Sequence, residues 1–161
     1  MAQDIFIKIA GIDGESKDSA HTNEIDVLNW AWKVSQESTM HTGSGGGAGK
    51  AQVDDLEFEH YMDRSSPNLF KYCVTGKHIP EVKLTVRKAG GTPLEYLKMT
   101  FTDVIVTMIR PTGSITDEVK VRERVGLSFS KVKTEYTVQN QQGGSGGAVT
   151  AGYDVQLNKE A

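Results

Sequence analysis

The chain has 161 residues, 37% of them hydrophobic, and a formal net charge of −3, which fits one domain, residues 1–161. The acidic balance and the lack of a basic block argue against nucleic-acid binding. Cys73 is the only cysteine, which excludes an internal disulfide and a cysteine-rich zinc site. A chain of this length buries about 70% of its unfolded surface, so neither is needed for a core.

The N-terminal sequence predicts a chain that is made in the cytoplasm. Met-Ala-Gln-Asp lacks a basic region, and the apolar segment Ile5 to Ala10 is short and interrupted by Lys8. No apolar run approaches the ~20 residues of a membrane-spanning helix. We therefore predict no cleaved signal peptide and no membrane insertion, so that any export uses another route.

Alternating apolar residues predict strands from the start of the chain. Ile5, Ile7 and Ile9 alternate with residues of the opposite face, and the polar residues 13–24 that follow predict a loop. Residues 25–35 predict a second β region with two distinct faces. One face carries Trp30, Trp32 and Val34, and the other carries Ala31, Lys33 and Ser35.

The middle of the chain predicts a loop, a strand and a short helix. Residues 42–50 are rich in glycine and predict an extended, flexible loop, followed by a strand over residues 52–61. Ser66 and Pro67 predict the start of a helix and Gly76 its end. Its predicted apolar side consists of Leu69, Phe70, Cys73 and Val74.

Two long strands, over residues 94–110 and 118–138, each change phase. In the first, the apolar positions change from odd numbers (Phe101) to even numbers (Val104), and in the second from odd (Phe129) to even (Val132). Such a slip indicates a bulge or bend that re-aims the side chains. We therefore predict a mainly β fold, in which two curved antiparallel sheets form a β-barrel with one short flanking α-helix.

No motif for catalysis, cofactor binding or metal binding withstands inspection. The glycine-rich loop ends in Gly49-Lys50, but Ser44 stands where a phosphate loop needs glycine, and Ala51 where it needs a hydroxyl. Histidines 21, 41, 60 and 78 lack the spacing of a helical metal site and are interpreted as surface or loop residues. The basic residues Lys83, Arg87 and Lys88 are interpreted as a solvated strand face, Cys73 as a packing residue, and the carboxylates of residues 54–59 as a solvated face or subunit contact. We predict no enzyme and no cofactor.

Nearly from end to end, the chain carries landmark residues whose order and spacing match those of one known protein family. They are Asp4 to Ile9, Gly14 to Lys17, His21, Glu24 to Leu28, Trp30, Trp32, Asp55-Leu56, Tyr61, Asp63, Ser66-Pro67, Thr75 to His78, Arg87 to Gly91, Glu95 to Leu97, Val119, Phe129, Gly152 to Asp154 and Asn158. With these residues the chain resembles the hemolysin-coregulated protein family (Hcp), the tube-forming subunit of type VI secretion. The resemblance is weakest in the two glycine-rich stretches.

The resemblance implies a role in assembly and transport. It implies homo-hexameric rings with an open pore, stacked into a tube that a contractile sheath surrounds and a spike protein tips. Contraction expels the tube into the medium or a target cell, and small effector proteins travel in the pore. The chain ends just after the last predicted strand, at Ala161, so no fused effector domain is predicted. The alternative from the residues alone is a stand-alone β-barrel module that binds a ligand.

Two sets of residues are candidates for the contacts of such a ring. We predict that one face of the second β region lines the pore or meets the neighbouring subunit, through Ala31, Lys33 and Ser35. We predict that two loops reach the next ring, through Asp13, Glu15, Ser16, Thr42, Gly43, Ser44, Gly45 and Lys50.

Overall fold

The computed structural model describes residues 3–38, 40, 48–89, 93–116, 120–142 and 144–161. Most of the described residues lie in strands. The elements are β1 (Gln3–Ile9), β2 (Ile25–Asp26), β3 (Asn29–Ala31), β4 (Val34–Ser38), β5 (Ala48–Val53), β6 (Leu56–Tyr61), α1 (Ser66–Thr75), β7 (Ile79–Lys88), β8 (Leu94–Thr112), β9 (Arg122–Gln139), β10 (Ser145–Asp154) and β11 (Lys159–Glu160).

The strands form a large sheet and a separate hairpin, all antiparallel. The large sheet has the order β11-β10-β9-β8-β7-β1-β2, while β6 pairs with one half of β9 and β3 pairs with β6. Strands β4 and β5 form the two-stranded sheet. The prediction of a mainly β fold with two curved sheets and one flanking helix is confirmed. The strand order of the large sheet does not close on itself among the described residues.

The long strands β8 and β9 bend together. On β8 the buried positions change from odd numbers (Phe101) to even numbers (Val104), and on β9 they change from odd (Phe129) to even (Val132). The register between the two strands stays continuous across this change. Asp103, at this point, has a positive φ of 54°, and a register shift follows between Val106 and Met108. The predicted phase slips therefore mark a bend that both strands share.

The bend folds the large sheet over a single core. One half of the β8–β9 pair continues into β7 and β10, and the other half continues through β6 to β3. Side chains from both halves are fully buried between them. They include Leu56, Phe58, Leu84, Phe101 and Leu127. Burial of an aliphatic or aromatic side chain of this size contributes about 1.5–3 kcal/mol, so this core supplies the main driving force for folding.

The N-cap of helix α1 lies one residue earlier than the sequence suggests. The N-cap position is Ser65, not Ser66, and in the part of the chain that the structure describes Ser65 makes no side-chain capping hydrogen bond. Instead, the backbone N–H and the hydroxyl of Ser65 both donate to Asp63 Oδ1. Gly76 closes the helix with a φ of 66°, as predicted. No helix among the described residues is long and apolar enough to cross a membrane.

Only half of the predicted apolar side of α1 faces the core. Leu69 is buried and Cys73 packs against the core, whereas Phe70 and Val74 are exposed. The prediction was wrong for these two residues because a helix resting on a sheet buries a narrower stripe than its apolar residues span.

Two predicted strands are each interrupted. The second β region breaks at Val27 and Leu28, between β2 and β3, and again at Trp32 and Lys33, between β3 and β4, which belong to different sheets. The predicted strand 52–61 breaks at Asp54 and Asp55, and its first part begins at Ala48 instead of at Gln52. The predicted loop 42–50 therefore ends earlier than expected, and its residues 42–47 lie outside the described residues.

The polar loop between β1 and β2 is tightly folded against itself. Backbone N–H groups of Gly14 and Ser16 donate to the carbonyls of Asn23 and Glu24, at 2.8 and 2.9 Å. A Cβ atom at Gly14 would lie 2.6 Å from the Glu24 carbonyl oxygen and 2.7 Å from Ile25 Cγ1. The close approach of the two backbone segments therefore requires glycine at this position.

Replacement of Gly14 by alanine should destabilise the protein by about 1–3 kcal/mol, the usual cost of an overpacked site. Chemical denaturation would measure the loss. Gly113→Ala is the matched control, because within the described part of the chain its Cβ would meet only Val121 Cγ2, at 4.0 Å. Equal unfolding midpoints for the two variants would contradict the steric role of Gly14.

Candidate functional site

A charged face covers the outside of four strands in the order β3-β6-β9-β8. This face carries Asn29, Ala31, Glu57, Glu59, Arg110, Arg122 and Arg124, and it also carries Tyr61, Met108, Thr112 and Gly126; all alternate with the core-facing residues of the same strands. We call this part of the sheet the four-stranded segment. It consists of β3, β6 and the parts of β9 and β8 that lie beyond the bend, residues 122–127 and 105–112.

Hydrogen bonds link the charged face across its strands. Arg124 Nε donates to Glu57 Oε1 at 2.8 Å, and Arg124 Nη1 donates to Asn29 Oδ1 at 3.0 Å. Asn29 Nδ2 in turn donates to Glu59 Oε1 at 3.1 Å. Arg110 lies directly opposite Arg124, is exposed and has no ion pair among the described residues. These hydrogen bonds hold the polar surface in one arrangement. Among the described residues of this face, they do not place a nucleophile beside a base.

Both edges of the four-stranded segment lack a partner strand among the described residues. Strand β7 stops pairing with β8 at Ile79–Val104, so residues 105–112 of β8 pair only with β9. On the other side, β3 pairs only with β6. We call these the two free edges. Unpaired N–H and C=O groups on a strand edge are a template for pairing with another chain.

An apolar surface extends beyond the core at the far end of β9 and β10. Tyr136, Val138 and Val149 are 52%, 46% and 67% exposed although they lie on the face that is buried nearer the bend. Beside them, Trp32 and Val34 help to line an apolar cavity of about 220 Å³ beneath the β4–β5 hairpin. Contiguous apolar surface of this kind marks a site of interaction with another molecule.

Charged side chains hold the loop 13–24 against the sheet. Arg87 Nη2 donates to Asp18 Oδ2 at 2.6 Å and to Asp4 Oδ2 at 2.9 Å. His21 is stacked on Phe6, with ring centroids 4.3 Å apart, and Arg87 lies 5.1 Å from the same phenyl centroid. Arg87 is therefore a loop anchor, and its interpretation as part of a solvated face was wrong because carboxylates from β1 and the loop enclose it.

His21 lies between two carboxylates. Its Nδ1 is 2.9 Å from Glu24 Oε2 and its Nε2 is 2.5 Å from Glu95 Oε1. Both nitrogens can donate only when the ring is protonated, since a neutral imidazole carries one N–H. Burial raises the pKa of Glu95, but the hydrogen bond from His21 and the charges of His21 and Lys98 outweigh it and hold this pKa below its ordinary value.

A second histidine joins two strands inside the core. His60 Nε2 and Glu123 Oε1 are 2.8 Å apart, and both residues are fully buried on the paired strands β6 and β9. Among the described residues, His60 Nδ1 has no hydrogen-bond partner, and the nearest carboxylate oxygen, of Asp63, is 4.0 Å away. The interpretation of the histidines as surface or loop residues was therefore wrong for His60, whereas His21 does lie in a loop, although it is buried there. His41 lies outside the described residues.

The described histidines show no arrangement for nucleophilic catalysis. His21, His60 and His78 each contact a carboxylate, and in the described part of the chain none of them hydrogen-bonds to a hydroxyl or thiol. Among the same residues, no group of three histidine, cysteine or acidic side chains could hold a metal ion. The surfaces that this structure presents are suited to contacts with other proteins.

The predicted contact residues are distributed over several surfaces. Ala31 belongs to the charged face, opposite Glu57, and Lys33 is exposed at the break that follows. Ser35 lies on the β4–β5 hairpin, so the three residues do not share one strand face. The correction follows from the break at residues 32 and 33, which moves the chain from one sheet to the other.

The predicted stacking residues are only partly available for contact. Asp13 is exposed beside Arg64, and Glu15 Oε2 accepts a hydrogen bond from the Arg64 backbone N–H at 2.7 Å. Ser16 is buried inside the subunit, so its side chain cannot reach another ring. Lys50 is exposed on β5 instead of in a loop. Thr42, Gly43, Ser44 and Gly45 lie outside the described residues.

Comparison with known proteins identifies the class of this chain. The sequence model of the family described as "Type VI secretion system effector, Hcp" matches residues 6–136. Protein hcp1 of Pseudomonas aeruginosa is 47% identical over 163 residues, and the match covers all of both chains. These matches define a class of type VI secretion tube and effector proteins.

Solved structures of this class share the fold. The crystal structure of Hcp1 from Salmonella typhimurium is 59% identical and superimposes with a TM-score of 0.85 over all of both chains. A type VI secretion system effector from Yersinia pestis is 45% identical, with a TM-score of 0.77 over 94% of this chain and all of that one. The chain belongs to the Hcp family, as the landmark residues predict.

Acid should release the loop 13–24 from Arg87. Hydrogen bonds from Arg87 and Ala20 lower the pKa of Asp18 from 3.8 to about 2, so the stabilisation is complete above about pH 4 and is lost as the pH falls towards 2. Amide protection factors for residues 14–24, measured by hydrogen exchange from pH 4 to pH 2, should fall in this window.

Asp18→Asn provides the control for this pH dependence. The variant lacks the titrating carboxylate, so its loop protection should be lower at pH 4 and should change less between pH 4 and pH 2. An identical pH profile in the two proteins would exclude the Arg87–Asp18 contact as the acid-sensitive element.

Proposed function

We propose that the chain is the structural subunit of a type VI secretion inner tube, in which six copies form a ring with an open pore. The observation that carries this proposal is the pair of free edges on opposite sides of the four-stranded segment. Residues 105–112 of β8 form one edge, and Asn29–Ala31 of β3 form the other. Membership of the Hcp family supports a role in type VI secretion, and the number of six is what the resemblance of the landmark residues implies.

The two free edges belong to different strands, β8 and β3, and this favours a ring over a two-fold dimer. The edge of β8 in one subunit pairs with the edge of β3 in the next, a head-to-tail contact that repeats until the ring closes. The apolar surface of Tyr136, Val138 and Val149 supplies a second contact area between copies.

Joining the four-stranded segments edge to edge places the charged face on the pore. The core occupies the other side of these strands, so the face with Ala31 and Glu57 is turned towards the ring axis. Lys33 lies at the rim of this face, and Ser35 lies towards the neighbouring subunit. A polar lining of alternating charge lets small effector proteins enter without trapping them on an apolar wall.

Stacking and expulsion complete the proposed function. Asp13, Glu15 and the segment 42–50 contact the next ring, while the contractile sheath surrounds the tube and the spike protein tips it. The subunit carries no catalytic activity and leaves the cell by expulsion of the tube. The alternative, a ligand-binding module, is favoured only by the apolar cavity of about 220 Å³ and requires a stable monomer.

Hydrogen exchange combined with electron microscopy tests the edge pairing. Rings should appear in micrographs, and amides on the outer side of residues 105–112 and 29–31 should be protected in rings but exchange rapidly in diluted monomers. Amides of the β7–β8 pair, such as that of Phe101, serve as the control because they are paired within the subunit. Rings with unprotected edge amides would refute the edge pairing, and a stable monomer without rings would refute the tube role.

Gold labelling locates the proposed pore face. In a Cys73→Ser background, Ala31→Cys labelled with a maleimide-linked gold particle should place density at the ring centre. Ala20→Cys, on the exposed part of the loop 13–24, is the matched control and should place gold away from the centre. Gold from position 31 at the outer rim, or labelling only of dissociated subunits, would assign Ala31 to another surface.

A further inference from the structure

Three lysines share one cross-strand row on the large sheet. Lys8 on β1 lies directly opposite Lys83 on β7, which lies opposite Thr100 on β8, and Thr100 lies opposite Lys133 on β9. Their neighbours along each strand, such as Val82, Phe101 and Val132, are buried, so the row is on the solvent face. We call Lys8, Lys83 and Lys133 the lysine row.

The lysine row is poorly compensated within the subunit. Like charges directly opposite on paired strands destabilise a sheet, and Lys8 and Lys83 have this arrangement. Glu81 lies 3.7 Å from Lys83, whereas Lys8 and Lys133 have no ion pair among the described residues. A row that repels itself and has spare positive charge is suited to an anionic partner.

The positive charge is a local excess, not a reflection of the whole chain. On strands β1 and β7 to β10, the row and the two rows that flank it hold five lysines against three carboxylates, a balance of +2 that Asp26 on β2 and Lys159 on β11 leave unchanged, whereas the whole chain has a net charge of −3. The lysines are Lys8, Lys83, Lys98, Lys131 and Lys133, and the carboxylates are Glu81, Glu135 and Asp154. Glu95, outside these rows, forms an ion pair with Lys98 at 3.5 Å. Asp154 is buried and 3.8 Å from Lys131.

A polar concavity adjoins the row. It has a volume of about 480 Å³, its lining includes Lys131, Lys133 and the hydroxyl-bearing Thr100 and Thr150, and one carboxylate residue, Glu160, also lies there. The row ends at Gly152, where a Cβ atom would lie 2.6 Å from the Ala161 carbonyl oxygen. The missing side chain makes room for the backbone of Ala161. The N–H of Ala161 donates to the Gly152 carbonyl, and Ala161 also lines the concavity beside Lys133.

We propose that the lysine row and this concavity bind an acidic segment of the protein that surrounds the ring, the sheath of the secretion machine. The location rests on the proposed function. The bend in β8 and β9 turns the lysine row and the charged face of the four-stranded segment to opposite sides of the core. If the charged face lines the pore, the lysine row is on the outside of the tube.

Binding of labelled poly-L-glutamate to purified rings, followed by fluorescence anisotropy at low and high salt, tests the proposal. The double variant Lys8→Glu with Lys133→Glu should bind about tenfold more weakly than the unchanged ring, and salt should weaken binding to the unchanged ring. The matched control, Lys71→Glu with Lys120→Glu, changes the net charge equally at exposed lysines of other surfaces and should retain binding within about twofold.

Several outcomes would overturn the proposal. Equal weakening in both double variants would mean that only net charge matters, and absence of binding to intact rings would exclude an acidic partner. Tighter binding of single-stranded polyuridylate through the same lysines would assign the row to a nucleic acid. Loss of rings in the Lys8 and Lys133 variant alone would assign it to a contact between copies. Electron microscopy of each sample separates these results from failure of the ring itself.

Discussion

The shared bend of β8 and β9 is the constraint on which the rest of the subunit depends. Asp103, with its positive φ, and the continuous register around it turn both strands at the same point. One pair of strands can therefore supply inward-facing residues to both layers of the core. The same bend separates β7 from residues 105–112 of β8 and leaves one free edge, so the fold that buries the core also creates the edge at which we propose that copies pair.

Buried and half-buried charges fix how the layers and the loop meet. His60 and Glu123 form an ion pair or hydrogen bond between β6 and β9 with no access to solvent, and loss of either partner would leave an unpaired polar group in the core. Such a loss costs about 3–5 kcal/mol when the pair is charged. Arg87 has a similar effect near the surface, because it connects β7 to both β1 and the loop 13–24. These contacts specify one arrangement of elements that hydrophobic burial alone would leave open.

Local sequence patterns predicted which strands and helices form better than they predicted the residues at which these elements begin and end. The alternation of Ile5, Ile7 and Ile9 and the helix stop at Gly76 were confirmed, since they depend on residues close in sequence. The break at Trp32 was missed because alternation continues through it. What interrupts the strand is tertiary: Trp32 Nε1 donates to the Asp54 carbonyl at 3.0 Å, and its ring packs edge-on to Phe101.

The sequence by itself determined the mainly β class, the bends in the long strands and, through landmark residues, the family. Each of these depends on periodicity, composition or residue order, which are local or additive properties of the chain. Only the tertiary structure decided which edges stay free, that His60 is buried and that the lysines of three strands form a row. The physical reason is that strand partners far apart in sequence set these features: Lys8 meets Lys83, and His60 meets Glu123, only through pairing that no local pattern specifies.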